Sequence, residues 1–198
     1  SKTLNVESNS REILRLTSEW PEARLWSPDD PHLYDLRSHL FSDDAVVDRK
    51  KTRFGFKEFR IEGINFLLNG VPIRFKGDSW HYMGAAQQSP EYAREWFRMV
   101  KSIGGNCVRL HAQPFPEFYL DIADEVGLCV IDETAVYGSG GNLALDEEEY
   151  WEYAREHVRK LACRDRNHPS VCLWSACNEV VWKGGPAVHP KLLSLEEA

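Results

Sequence analysis

The sequence predicts an α/β fold in which a β-rich leader precedes a parallel sheet. Three observations carry this. Short apolar runs at 73–77, 107–110, 128–131 and 171–177 are separated by stretches of helical period. Each run ends in polar residues: Asp78 and His81, Arg109 and His111, Asp132 and Glu133, Asn178 and Glu179. The order β-α-β-α-β-α-β implies right-handed crossovers, so all four polar tips share one end of the sheet. Barrels and open doubly wound sheets both keep ligands at that end. No G-x-G-x-x-G or P-loop appears, which weakens a nucleotide reading.

Residues 1–62 read as β-rich. Strand candidates are 12–17, 33–41, 45–47 and RFGFKEFRI (53–61), where aromatic and charged residues alternate. Trp26-Ser-Pro-Asp-Asp-Pro is a turn-dense corner. These strands are too few for a whole sandwich and suggest part of one. The pattern changes near Gly63. Residues 66–68, Asn69-Gly70 and 72–75 form a hairpin around a favoured turn pair.

A helix is expected from Ser89, with Ser as N-cap and Pro90 at its first position. Ala93, Trp96, Phe97, Val100 and Ile103 lie on one of its faces, and Gly104 or Gly105 ends it. The next helix starts near Pro116, buries Phe118, Tyr119, Ile122, Ala123 and Val126, and stops at Gly127. A loop follows Tyr137, and Asp146 with Glu149 has the capping-box offset. Tyr150, Tyr153, Ala154, His157, Val158, Leu161 and Ala162 then make a third stripe.

With 42% hydrophobic residues the chain can build a real core. Its net charge of −7 argues against a nucleic-acid partner. No apolar run approaches the roughly 20 residues of a membrane span, so no membrane partner is expected. The five cysteines form no C-x-x-C pair and read as small buried thiols. No signal peptide is visible, and the compartment stays open. Seven Trp suit sugar stacking, but most of them read as core.

The most informative stretch is VCLWSACNE (171–179), a buried strand that delivers Asn178 and Glu179 to its tip. Burial raises a carboxyl pKa, which suits a general acid. The plain alternative is a strand-end Glu that caps a helix or pairs with Arg.

These residues resemble glycoside hydrolase family 2, the family of β-galactosidases, β-glucuronidases and β-mannosidases. The resemblance rests on NGVPIRFKG (69–77), ADEVGLCVIDE (123–133), RDRNHPSV (164–171) and WSACNE (174–179), in order, across about 53–180. WSPDDPHLY (26–34) is similar to a corner of that family's immunoglobulin-like domain. The resemblance implies that 1–62 is the C-terminal part of an immunoglobulin-like β-sandwich. It implies that 63–198 is the N-terminal half of a TIM barrel, strands 1–4 of a partial (β/α)8 barrel.

It also implies a retaining, exo-acting β-glycosidase on β-galactoside or β-glucuronide type substrates. Glu179 matches the acid/base and Asn178 the residue that holds the substrate 2-hydroxyl. A retaining enzyme sets a second carboxylate about 5 Å away as nucleophile. In the family that residue comes from a late barrel strand, and a complete barrel takes about 250 residues. This sequence stops at Ala198, shortly after the fourth strand. It is therefore expected to be a piece of a barrel that lacks the nucleophile and is inactive alone. Glu133 is expected to orient neighbours, and Arg109 to pair with Asp132 or Glu133 inside the barrel.

His111, one place early against the family's R-x-x-H-Y-P run, is a sugar-contact candidate, as are Trp80, His81 and Asp78. The Mg²⁺-ligand places of the family's β-galactosidases hold Tyr137 and Ser139 here, so no metal or other cofactor is expected. Trp182 is a candidate subsite wall, and His168-Pro169 reads as structural. The expected partner is a carbohydrate substrate. A homo-oligomer of the full-length protein is left open. The rival reading is a non-catalytic carbohydrate-binding or scaffold protein derived from the same family. A barrel glycosidase of another family with the same Asn-Glu tip is a third.

Overall fold

The structure is a computed structural model that describes residues 2–82, 84–138, 144–180 and 189–195. Three sheets follow one another along the chain. The first is an antiparallel hairpin of β1 (Tyr34–Ser42) and β2 (Ala45–Phe54). The second is the antiparallel sheet of β3 (Phe59–Glu62), β4 (Asn65–Leu68) and β5 (Val71–Ile73). The third is parallel, in the order β6 (Gly77–Trp80), β7 (Cys107–Leu110), β8 (Cys129–Glu133), β9 (Val171–Ser175). Helices α1 (Pro90–Ser102), α2 (Glu117–Val126) and α3 (Glu148–Asp165) supply the crossovers, and a short α4 (His189–Leu193) comes last. Four parallel strands in sequence order, each followed by a helix, are half of a (β/α)8 barrel.

The leader differs from the sequence expectation in two places. Residues 12–17 form no strand and are exposed, because no neighbouring strand pairs with them among the described residues. The run 53–61 is two strands rather than one. A Cβ at Gly55 would lie 2.7 Å from Pro169 Cγ, so the chain breaks its ladder there to pass the loop before β9. Phe56 then bridges Leu25, and its carbonyl accepts from Trp26 N–H at 2.7 Å. β3 and β4 pair across Gly63, so a hairpin spans the point where the sequence pattern changes.

The helices form largely as their signals dictate. Ser89 Oγ accepts from Tyr92 N–H at 3.1 Å, and Ala93, Trp96 and Phe97 are buried. Ile103, placed on that face by periodicity, is 81% exposed, because it sits at the C-cap after the last turn. α2 buries Tyr119, Ile122 and Ala123 and ends at Gly127 in the left-handed region, φ 73°. The Asp146–Glu149 capping box does not form; Glu147 is the N-cap of α3 and makes no side-chain cap bond. Trp151 is the main anchor of α3, with its Nε1 donating to Leu145 O at 2.9 Å. Tyr153 faces solvent instead.

Two cores flank the parallel sheet. One, on the helix side, joins Val108, Leu110, Val130 and Val171 to α1 and α2. The other gathers Trp26, Leu68, Cys107, Cys129 and Cys172 at the N-terminal ends of the strands, where the β3–β5 sheet packs. The opposite, C-terminal ends are left to polar residues.

Candidate active site

The centre of the polar end is Glu133, the last residue of β8, fully buried. Arg109 of β7 forks onto it, with Nε and Nη2 donating to Oε2 at 2.9 and 2.7 Å. Ser175 Oγ of β9 donates to the same oxygen, and Ala112 N–H donates to Oε1 at 2.5 Å. The pairing of Arg109 with an acid inside the barrel is therefore present, and the acid is Glu133. Asp132 lies on the other face of the strand.

Arg109 Nη2 also donates to Asn178 Oδ1 at 2.6 Å. Asn178 is 6% exposed, and its Nδ2 is buried with no hydrogen-bond partner among the described residues. Its backbone is fixed as well. The segment after β8 runs beside it, with Asn178 N–H donating to Val136 O at 2.8 Å and Gly138 N–H to Asn178 O at 2.9 Å. His157 of α3 holds that segment by accepting from Ala135 N–H at 2.9 Å. Burial and the nearby Arg164 and Lys160 charges push His157 down, which keeps it in the neutral form this bond needs. Gly138 is required, since a Cβ there would lie 2.6 Å from Glu179 O.

Arg109→Met is expected to destabilise the chain by about 3–5 kcal/mol, because it leaves the Glu133 carboxylate buried without its cation. Urea unfolding checks this, and a loss below about 1 kcal/mol is the result that contradicts it.

Glu179 follows Asn178 with φ 55°, a left-handed turn that takes the chain out of the strand path. The buried carboxyl expected from the sequence is corrected here: Glu179 is exposed. The reason is its place beyond β9, the last strand of the sheet, with no strand hydrogen-bonded on the far side among the described residues.

His111 and His81 come together, with ring centroids 3.9 Å apart at the tips of β7 and β6. His81 is exposed and His111 half-buried. Burial, then the His81 and Arg109 charges, push His111 below its ordinary value, while Glu133 and Glu179 act in the opposite sense. Its Nδ1 is buried without a partner among the described residues. Trp80 does not join them. Ser79 pairs with Arg109 on the inner face, and Trp80 pairs with Leu110 on the helix face. There its ring stacks on Trp96, 4.2 Å between centroids and 27° between planes. Its aromatic face is thus committed to the core, and the expectation that it meets a sugar is corrected. Asp78 shares the helix-facing alternation.

Asp121, Asp124 and His168 are the described residues close enough to share a cation. Their donors are already used. Asp124 binds His168 Nδ1 at 2.6 Å and Ser170 N–H at 2.9 Å, and Asp121 binds Arg53 at 2.6 Å. The cluster ties the loop before β9 to α2, which is the structural role expected for His168. Tyr137 bridges Asn178, while Ser139 and Trp182 lie outside the described residues.

The fold and this polar end define half of a (β/α)8 barrel with its charged and amide side chains gathered at the strand tips. Residues 59–190 match the sequence profile described as "Glycosyl hydrolases family 2, TIM barrel domain", and residues 1–57 match "Glycosyl hydrolases family 2". The chain belongs to glycoside hydrolase family 2. It is 34% identical over 193 residues to a β-galactosidase of Bacteroides ovatus, covering 93% of this chain and 22% of that protein. It is 29% identical over 183 residues to a β-glucuronidase of Streptococcus agalactiae, covering 85% of this chain and 30% of that protein. A crystal structure of a β-glycosidase from Bacteroides vulgatus superposes with TM-score 0.75 at 29% identity, covering 88% of this chain and 23% of that one. A β-glucuronidase from Ruminococcus gnavus in complex with uronic deoxynojirimycin does so with TM-score 0.77 at 26% identity, covering 88% and 31%. The chain thus spans less than a third of the length of these relatives.

Proposed function

We propose that this chain is the acid/base half of a retaining, exo-acting β-glycosidase acting on β-galactoside or β-glucuronide type substrates. The observation that carries the reading is Asn178, clamped by Arg109 through Oδ1 while its buried Nδ2 has no partner among the described residues. A fixed donor without an acceptor suits a sugar hydroxyl whose hydrogen bond strengthens as oxocarbenium character develops. Glu179 is its chain neighbour. In this reading Glu179 protonates the glycosidic oxygen as the bond to the anomeric carbon breaks, then removes a proton from water in the second step. His111 and His81 contact the sugar, and Glu133 with Arg109 holds Asn178 in place. Trp80 is left out.

Residues 1–62 are proposed as the C-terminal part of an immunoglobulin-like sandwich, and 63–198 as the N-terminal half of the barrel. The nucleophile is proposed to come from outside these 198 residues, so the chain alone should be inactive. The rival, a non-catalytic carbohydrate-binding or scaffold protein, draws support from the exposure of Glu179.

The test is turnover of chromogenic β-galactosides and β-glucuronides. The full gene product is expected to hydrolyse one class, with the first-formed sugar keeping its β configuration by NMR. The 198-residue chain is expected to release no chromophore. An inverted product would refute the mechanism. Hydrolysis by the chain alone would refute the external nucleophile. Sugar binding by the full product without turnover would favour the rival.

A further inference from the structure

A cluster of buried thiols lies at the other end of the parallel sheet. Cys107 and Cys129 are the first residues of β7 and β8, and Cys172 is the second of β9. All three are buried in one cluster with Trp26 and Leu68. Lys57, in the segment between β2 and β3, reaches over them. Its Nζ donates to Val171 O and lies 3.7 Å from Cys172 Sγ. Cys129 and Cys172 share that cluster from neighbouring parallel strands, β8 and β9. Lys57 and Cys172 also line a cleft of about 390 Å³ shared with Phe54, Phe59, Pro169 and Trp174, so a small reagent has a route to the sulfur.

We propose that Cys129, Cys172 and Lys57 form a peroxide-sensitive dithiol site, with Cys172 as the attacking sulfur and Cys129 as the resolving one. The thiolate is the nucleophile, and a neighbouring ammonium and an S–H donor both stabilise it. The electrostatics agree. Cys172 is pushed down by the Cys129 hydrogen bond, against burial, and then by Lys57. Cys129 is pushed up, so it stays a thiol and donates. Lys57 is itself pushed down by burial, with the Cys172, Cys129 and Asp124 charges opposing.

The chemistry balances with a hydroperoxide as oxidant. Cys172 thiolate attacks one peroxide oxygen, the O–O bond breaks, and a sulfenic acid forms as hydroxide leaves. Cys129 sulfur then displaces the sulfenic oxygen, forming the S–S bond, and the thiol proton leaves with that oxygen as water. Two thiols are oxidised to one disulfide and one peroxide is reduced to two waters. The bond would tie β9 to β8 at the end of the sheet remote from Glu179.

The experiment treats the chain with substoichiometric hydrogen peroxide at neutral pH and maps its five thiols by peptide mass spectrometry, with exposed Cys163 as the internal reference. Cys172 is expected to oxidise first and to appear linked to Cys129. Cys129→Ser should leave a Cys172 sulfenic acid that a cyclic diketone traps. Lys57→Met should slow Cys172 oxidation about tenfold relative to Cys163, because the thiolate loses its neighbouring cation. Oxidation of Cys163 first, a Cys107–Cys129 link, equal rates at all five thiols, or no effect of Lys57→Met on the ratio would each overturn the proposal.

Discussion

Glu179→Gln in the full gene product is expected to lower kcat about 10²–10⁴-fold, the usual contribution of a positioned general acid/base. The loss should depend on the leaving group. An alkyl glycoside leaves as a strongly basic alkoxide and needs the proton, so its first step should suffer most. A nitrophenyl glycoside leaves as a weakly basic phenolate and needs little help. Its cleavage should proceed until the covalent intermediate accumulates, because water now lacks a base. An added anionic nucleophile such as azide needs no base and should restore turnover of the nitrophenyl substrate. A uniform loss across leaving groups without azide rescue would remove Glu179 from the acid/base role. It would point instead to a structural part for the left-handed turn at φ 55°.

The second large effect is on stability and lies at Asp132, on the helix face of β8. Asp132 and Asp165 are both fully buried and face each other. Among the described residues neither Asp132 oxygen has a hydrogen-bond partner, while Arg164 forks onto Asp165 at 2.7 Å. Two carboxylates cannot donate to each other, so the contact holds only with a proton between them. Burial, then the Asp165 contact and charge, push Asp132 up to about 8.

The sign follows from linkage. Unfolded Asp132 titrates near the ordinary 3.8, so between about 4 and 8 the folded chain holds the extra proton. Stability from this group is full below about 4 and falls as pH rises toward 8, with a slope of up to about 1.4 kcal/mol per pH unit. His168, raised by Asp124 against burial, adds loss in the same direction, whereas the lowered His111 and His157 act oppositely. Comparison with Asp132→Asn isolates the term, since Asn mimics the protonated acid. The variant is expected to match the natural chain near pH 4 and to exceed it by a few kcal/mol near pH 9. Parallel urea-unfolding profiles for the two chains across that range would contradict the shared proton.

Much of the architecture was legible in the residues. Asn178-Glu179 at the tip of the fourth parallel strand follows from an apolar run that ends in polar residues, a local pattern. Ser89-Pro90 and Gly127 mark helix ends for the same reason: a cap acts within four residues. The pairing of Arg109 with Glu133 was also within reach, because both lie at strand ends on the same rim. The pairing partners of β8, by contrast, place Asp132 against Asp165 of α3, and nothing in the spacing of those two residues announces it. Alternation says that Ser79 and Trp80 face opposite ways, but not which face is the interior. Only the register of Trp80 with Leu110, over the helix core, put its ring on Trp96. The break at Gly55 depends on Pro169, more than a hundred residues away in the chain.

By itself, then, the sequence determined the family, the order of the four parallel staves and the identity of the polar residues at their tips, because periodicity, caps and turns are local properties. Tertiary structure alone decided that Asn178 is clamped while Glu179 stands in solvent. It also decided that Trp80 packs away from the site, and that Lys57, Cys129 and Cys172 share one corner. Burial and charge contact depend on which distant segments meet, and that is settled only when the sheet and helices pack.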